Sequence, residues 1–120
     1  MRPFDWFLYL DVAKALAQTP SEARLRSAVS RAYYGVFGAI RARLTTAGFR
    51  PSRQGRAHSE VITWLRQSGQ EERQVGNELD RLRLERNEAD YNALTDFTLS
   101  RAKSALRKAD WIETRVKALL

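Results

Sequence analysis

Two stretches of this chain hold residue types that could do chemistry. Residues 30–44, SRAYYGVFGAIRARL, set Arg31 beside Tyr33 and Tyr34 in a pattern that is otherwise small or apolar. Residues 86–91, RNEADY, set Arg86, Asn87, Asp90 and Tyr91 within little more than one helical turn. Arg86 falls in the middle of an apolar stripe traced by Val75, Leu79, Leu82, Ala89 and Ala93, and Arg31 shares its register with Ala28 and Gly35. Both arginines are thus expected at or near the interior. A buried charge is costly unless it is paired and hydrogen-bonded, so such residues sit where specificity or function is held. Asp90, four residues after Arg86, is a natural helical partner. One outcome is a structural network of Arg31, Asp90 and tyrosine hydroxyls; the other is a cationic cleft that grips phosphate near Tyr91.

A second concentration of charge lies between these stretches. Arg41, Arg43, Arg50, Arg53 and Arg56 face a single acid, Glu60, between positions 41 and 60. Of the 21 basic residues in the chain, 17 are arginine, whose planar fork suits phosphate, and the formal net charge is +7. Arg50, Arg53 and Arg56 are candidate phosphate contacts, against the plainer reading of a solvated face. His58, the sole histidine, follows directly; there a histidine is either a capping or packing residue or a proton carrier. One histidine and no cysteine leave only carboxylates for a metal, so neither metal nor cofactor is expected.

With 120 residues the chain is read as one domain, residues 1–120, large enough for a core without staples. The absence of cysteine gives no sign of an oxidising compartment. The uncharged run Ala32 to Ile40 is too short for a bilayer. Phe4 to Leu10 resembles a signal core only briefly, since Asp5 and Asp11 interrupt it and no cleavage site follows. No membrane association and a cytoplasmic location are expected.

These groups must be positioned by helices, since no period-2 alternation supports a strand. A first helix is read from Asp5 as N-cap to Gln18. Thr19-Pro20-Ser21-Glu22 reads as a capping box with proline at the first helical position, opening a helix that runs to Ala47 before Gly48. Phe49 to Ala57 is a loop, a third helix starts near His58-Ser59, Ser68-Gly69-Gln70 breaks it, a fourth covers Glu71 to Ala93, and a last one runs from Thr98 to Leu119. The fold class is all-α, a mainly antiparallel bundle of four to five helices with the second and fourth as neighbours. In the second helix Ala28, Ala32, Gly35, Ala39 and Ala42 form a stripe of small side chains, read as tight packing within the bundle or as a self-association face.

Taken together, SRAYY at 30–34, the pair His58-Ser59 and RNEADY at 86–91 resemble the HEPN family of small helical proteins, closest to its short stand-alone prokaryotic members of toxin–antitoxin and defence type. The resemblance implies a HEPN-like bundle that pairs as a two-fold homodimer. In RNA-cleaving members an Arg-x(4–6)-His motif from each copy makes a composite, metal-independent site. Arg86 and Asn87 match the start of that motif, but positions 91 to 93 hold Tyr91, Asn92 and Ala93 in place of the histidine. Histidine titrates near neutrality, whereas tyrosine as a residue type ionises near about pH 10 and is a poor base at pH 7. The expected site is therefore Arg86, Asn87, Asp90 and Tyr91, supported by Arg31 and Tyr34. Its expected partner is RNA or a nucleotide, bound more readily than cut. Family toxins can be neutralised by nucleotidyltransferase antitoxins that modify a tyrosine near this motif. A non-catalytic module that binds a nucleotide or such a protein partner is thus the alternative.

Overall fold

The computed structural model describes residues 2–52 and 55–120. They form five helices: α1 (Leu8–Gln18), α2 (Glu22–Thr46), α3 (Ala57–Gln67), α4 (Gln70–Tyr91) and α5 (Leu99–Leu119). No strand occurs among the described residues. The bundle is all-α, as the sequence predicts.

Each helix starts where the chain can satisfy its free N–H groups, and two starts differ from expectation. Asp5 is not the N-cap of α1. Its carboxylate accepts the Phe7 N–H at 3.0 Å and its carbonyl accepts from Leu8, so it heads a turn and the helix begins at Leu8. Thr19 is not the cap of α2 either, nor is Pro20 its first residue. The first helical hydrogen bond of α2 runs from the Leu25 N–H to the Ser21 carbonyl at 2.9 Å. The cap passes to Ser21, extended at φ −136°, whose hydroxyl accepts the Arg24 N–H at 3.3 Å. α3 begins one residue before His58, and α5 begins near Thr98 as read from the sequence, with Thr98 as its N-cap, the hydroxyl accepting from the Arg101 N–H.

Cross-helix pairs give the packing directions. Arg26, Ser30 and Tyr34 of α2 meet Ala89, Asp90 and Arg86 of α4 in turn, so these helices run antiparallel as neighbours. Arg101 and Lys108 of α5 pair with Glu85 and Glu78 of α4, again antiparallel. Arg66 on α3 reaches Asn77 and Asp80 on α4. On its other flank α2 is covered by α1. A Cβ on Gly35 would lie 3.1 Å from both the Trp6 carbonyl and the Tyr9 Cβ, and one on Gly38 would overlap the Trp6 indole.

This contact corrects the self-association reading of the small-residue stripe. Ala28, Ala32, Gly35 and Ala39 are buried within the monomer, Gly35 against Trp6 and Tyr9, and only Ala42 is exposed. The core is built around α2, whose Val29, Tyr33, Val36, Ile40 and Leu44 are closed to solvent alongside Leu79 and Leu82 of α4 and Ile112 and Val116 of α5. Each fully buried aliphatic side chain contributes about 1.5–3 kcal/mol of transfer free energy, offset by ordering.

Candidate functional site

Arg86 is the one buried charged residue among the described residues, 6% exposed, as its place in the α4 stripe predicts. α2 and α4 close over it with aromatic rings: the guanidinium lies 5.2 Å from the Tyr33 ring centroid, 5.3 Å from Tyr34 and 5.8 Å from Tyr91. Ring faces attract a cation, and more strongly once it is desolvated. Direct neutralisation is incomplete. Asp90 Oδ2 stands 3.8 Å from Arg86 Nη1, beyond hydrogen-bond length, and accepts instead from the Ser30 hydroxyl at 3.3 Å. Arg86 Nε is buried with no hydrogen-bond partner. The fold thus holds a cation short of an anion beneath a lid of tyrosines.

Five candidates cluster here. Arg86, Asp90 and Tyr91 lie at the end of α4, with Asn87 half-buried beside them, and Tyr34 packs from α2. Tyr91 is 75% exposed. Arg31 does not join them. It is exposed and stacks over Tyr9 at 5.2 Å, on the α1 side of α2, so it neither enters the core nor pairs with Asp90. Helical register placed it at the edge of the small stripe, and its long stem carries the charge out to water.

His58 arrives from α3 and packs against the same α2 aromatics, stacking on Phe37 at 4.2 Å between centroids. Its Nδ1 is 2.5 Å from the Tyr33 hydroxyl. Burial, with the nearby positive charges of Arg86, Arg83 and Arg41, holds His58 below the usual imidazole range, so the ring is neutral at pH 7. Burial pushes the Tyr33 phenol far above the ordinary tyrosine value, so it keeps its proton. His58 Nδ1 is the acceptor at hand for that buried O–H, and leaving the O–H unused would carry its desolvation cost. Tyr33 therefore donates to Nδ1, and the imidazole carries its own proton on Nε2. In that tautomer His58 offers a donor, not a base.

The exposed side chains of Arg50 and Arg56 stand apart from this cluster. Arg50 donates to the carbonyls of Thr45 and Phe49, closing the end of α2, and Arg56 is the N-cap residue of α3, its carbonyl accepting from Glu60. Arg53 lies outside the described residues. Neither Arg50 nor Arg56 is brought to Arg86.

Sequence reasoning missed Arg26. Its guanidinium collects the carbonyls of Glu88 (3.2 Å), Ala89 (3.0 Å), Asn92 (3.0 Å) and Thr95 (2.7 Å), holding the end of α4 and the following turn. That grip, with the Asn92 side chain on Glu88, ends α4 at Tyr91 and not at Ala93. It also fixes the backbone from which Asp90 and Tyr91 project. The signal was present, since Arg26 precedes Ser30 and Tyr34 by four and eight residues on the face that meets α4.

Alongside this cluster α2 exposes a groove of about 620 Å³, with Tyr34, Gly38 and Arg41 along the helix, Trp6 on one side and His58 on the other. No helix of the described residues is long and apolar enough to cross a membrane. No curated protein and no solved structure matches the chain. A family model described as the HEPN domain does match, over residues 9–119, spanning all five helices, the Arg86–Tyr91 segment and His58. With nearly its whole length covered, the chain belongs to the HEPN domain family.

Proposed function

We propose that this HEPN protein binds RNA through the strip that runs from Tyr91 over Arg86 to Tyr34, and that it binds RNA better than it cuts it. The observation that carries the reading is the Arg86 guanidinium, buried, lacking a partner at Nε, and with its nearest carboxylate at 3.8 Å. A phosphate drawn to this strip would complete the charge balance that Asp90 leaves unfinished, while the exposed ring of Tyr91 offers a stacking surface. Arg86, Asn87, Asp90 and Tyr91 form the site, with Tyr34 supporting it.

Cleavage by attack of a 2′-hydroxyl needs a proton acceptor at contact distance. The position at which the cleaving pattern places histidine holds Tyr91, and the sole histidine, His58, has its Nδ1 engaged with the Tyr33 hydroxyl. Metal-independent cleavage is therefore expected to be slow or absent. The test is incubation of the pure protein with structured RNA in EDTA, beside Arg86→Ala. Wild type should bind in a strongly salt-dependent way, each phosphate contact adding to the slope. Arg86→Ala should weaken binding and any residual activity. Robust cleavage in EDTA that Arg86→Ala abolishes would restore a ribonuclease.

A second reading rests on one observation, the exposure of Tyr91. A hydroxyl that stands clear of the bundle at the end of α4 is accessible to a nucleotidyltransferase-type partner, as in the toxin-like half of a toxin–antitoxin module. Incubation with such an enzyme and ATP should then add mass to wild type and none to Tyr91→Phe.

A further inference from the structure

We propose that the groove along α2 is a subsite for one unpaired RNA base, held between Trp6 and His58 with its phosphate at Arg41; the inference rests on the RNA-binding reading above. Four features support it. The groove's volume, about 620 Å³, lies within the range of small-ligand sites. Its walls are π-faced: Trp6, Tyr34, Phe37 and His58 line it together. Trp6 is preset, resting on the α2 backbone at Gly38 and held edge-on by Phe4 and Tyr9 with ring centroids 5.2 and 5.6 Å away. His58 is fixed from below by Phe37 and by the Tyr33 hydroxyl, which leaves the Nε2–H as the ring's free donor for a base-edge or phosphate oxygen.

The chemistry selects the ligand. Stacking on aromatic side chains with an arginine beside them suits any nucleobase, because every base has a π-face, and it requires that base to be free of a duplex. Arg41, exposed on the groove edge, supplies the charge for the attached phosphate. Tyr34 belongs both to the groove and to the Arg86 cluster, so a strand crossing Tyr91 and Arg86 continues into the groove without leaving the surface.

The experiment compares a fluorescein-labelled single-stranded ten-nucleotide oligoadenylate with an abasic strand of the same length, titrated against the full chain. Wild type should bind the intact strand about tenfold tighter than the abasic one, the worth of a stacked base. Replacing Trp6 endangers its packing on α2, so the groove is filled from an exposed position by Ala42→Leu, which offers bulk without a ring. Ala42→Leu should weaken the intact strand and leave the abasic one unchanged, any remaining preference being the stack on Tyr91, and Arg86→Ala should weaken both strands alike. Equal binding of the two strands by wild type overturns the subsite and leaves the RNA reading standing. A preference undiminished by Ala42→Leu and Arg41→Ala places the base elsewhere and also overturns it. Binding of neither strand overturns the RNA reading and the subsite together.

Discussion

Protonation of His58 is opposed by its burial and by the charges of Arg86, Arg83 and Arg41, which lie on two of the helices packed around it. The sign of the consequence is fixed. The unfolded chain takes up a proton at the ordinary histidine value of about 6.5, while the folded chain does so only at lower pH. Protons therefore favour unfolding in that window, and stability present above about pH 6.5 is lost as pH falls towards the folded value. Melting temperature should drop between pH 7.5 and 5.5 in wild type and drop less in His58→Asn; equal slopes would refute this account. Arg86 could be found from sequence because an arginine inside an apolar stripe has few other places to go. Arg31 shows the limit of the same logic. Register fixes where a side chain leaves a helix, but a long stem can carry its charge outwards. The bond from Tyr33 to His58 joins two helices through residues 25 apart, and no periodicity announces it.

Among the elements, the end of α4 is the one held most deliberately. Four carbonyls at the end of α4 and in the turn after it accept from the single guanidinium of Arg26. Without it Glu88 and Asn92 keep a backbone donor each, from Asn92 and Thr95, but Ala89 and Thr95 lose theirs, and hydrogen bonds to charged groups are each worth about 1.5–3 kcal/mol. Water can reach part of the gap, so Arg26→Ala should cost about 2–3 kcal/mol in urea unfolding. Arg24→Ala, which loses bonds to Leu16 and Ala15 nearer the surface, should cost about 1 kcal/mol or less. A cost for Arg26→Ala no larger than that for Arg24→Ala would show that the α4 terminus stands without it. Gly38 sets two effects against each other. Glycine to alanine within a helix gains about 1 kcal/mol of propensity, but the added Cβ would overlap the Trp6 indole, and overpacking costs about 1–3 kcal/mol. Gly38→Ala should be destabilising in the same assay and should shift tryptophan emission; a stabilised protein would mean that Trp6 moves aside freely. Helix number, order and most boundaries were legible because apolar period and stop signals coincide. The two misplaced caps, at Asp5 and Thr19, stood at positions where several residues could serve and only the backbone path chooses.

At the scale of the whole molecule, the burial of the small-residue stripe within the monomer moves the question of self-association to another face. Leu84, Tyr91 and Leu94 remain exposed at 59%, 75% and 97%, and Leu84 and Tyr91, seven residues apart, share one side of α4. A symmetric pair closed on that side would bring the ends of two α4 helices and their Tyr91 rings together, while each Arg86 side chain, about 200° round the helix from Leu84, stays turned towards α2. Two-fold pairing is the commonest closed assembly. Three side chains do not make an interface of about 800 Å² per partner, so polar residues of α4 must supply the rest, in keeping with a modest affinity. Each copy carries a formal charge of +7, and repulsion between two such copies is screened by salt. We therefore expect light scattering to give twice the monomer mass at high micromolar concentration, with the dimer fraction rising between low and physiological salt. Leu84→Asp combined with Leu94→Asp should return the monomer mass and leave the helical circular dichroism unchanged, because both side chains lie outside the core. The proposed RNA binding would set an opposing dependence, weakening over the same salt range, so the two processes can be told apart in one titration. A wild-type protein that stays monomeric throughout would remove the pairing and confine the RNA strip to a single copy.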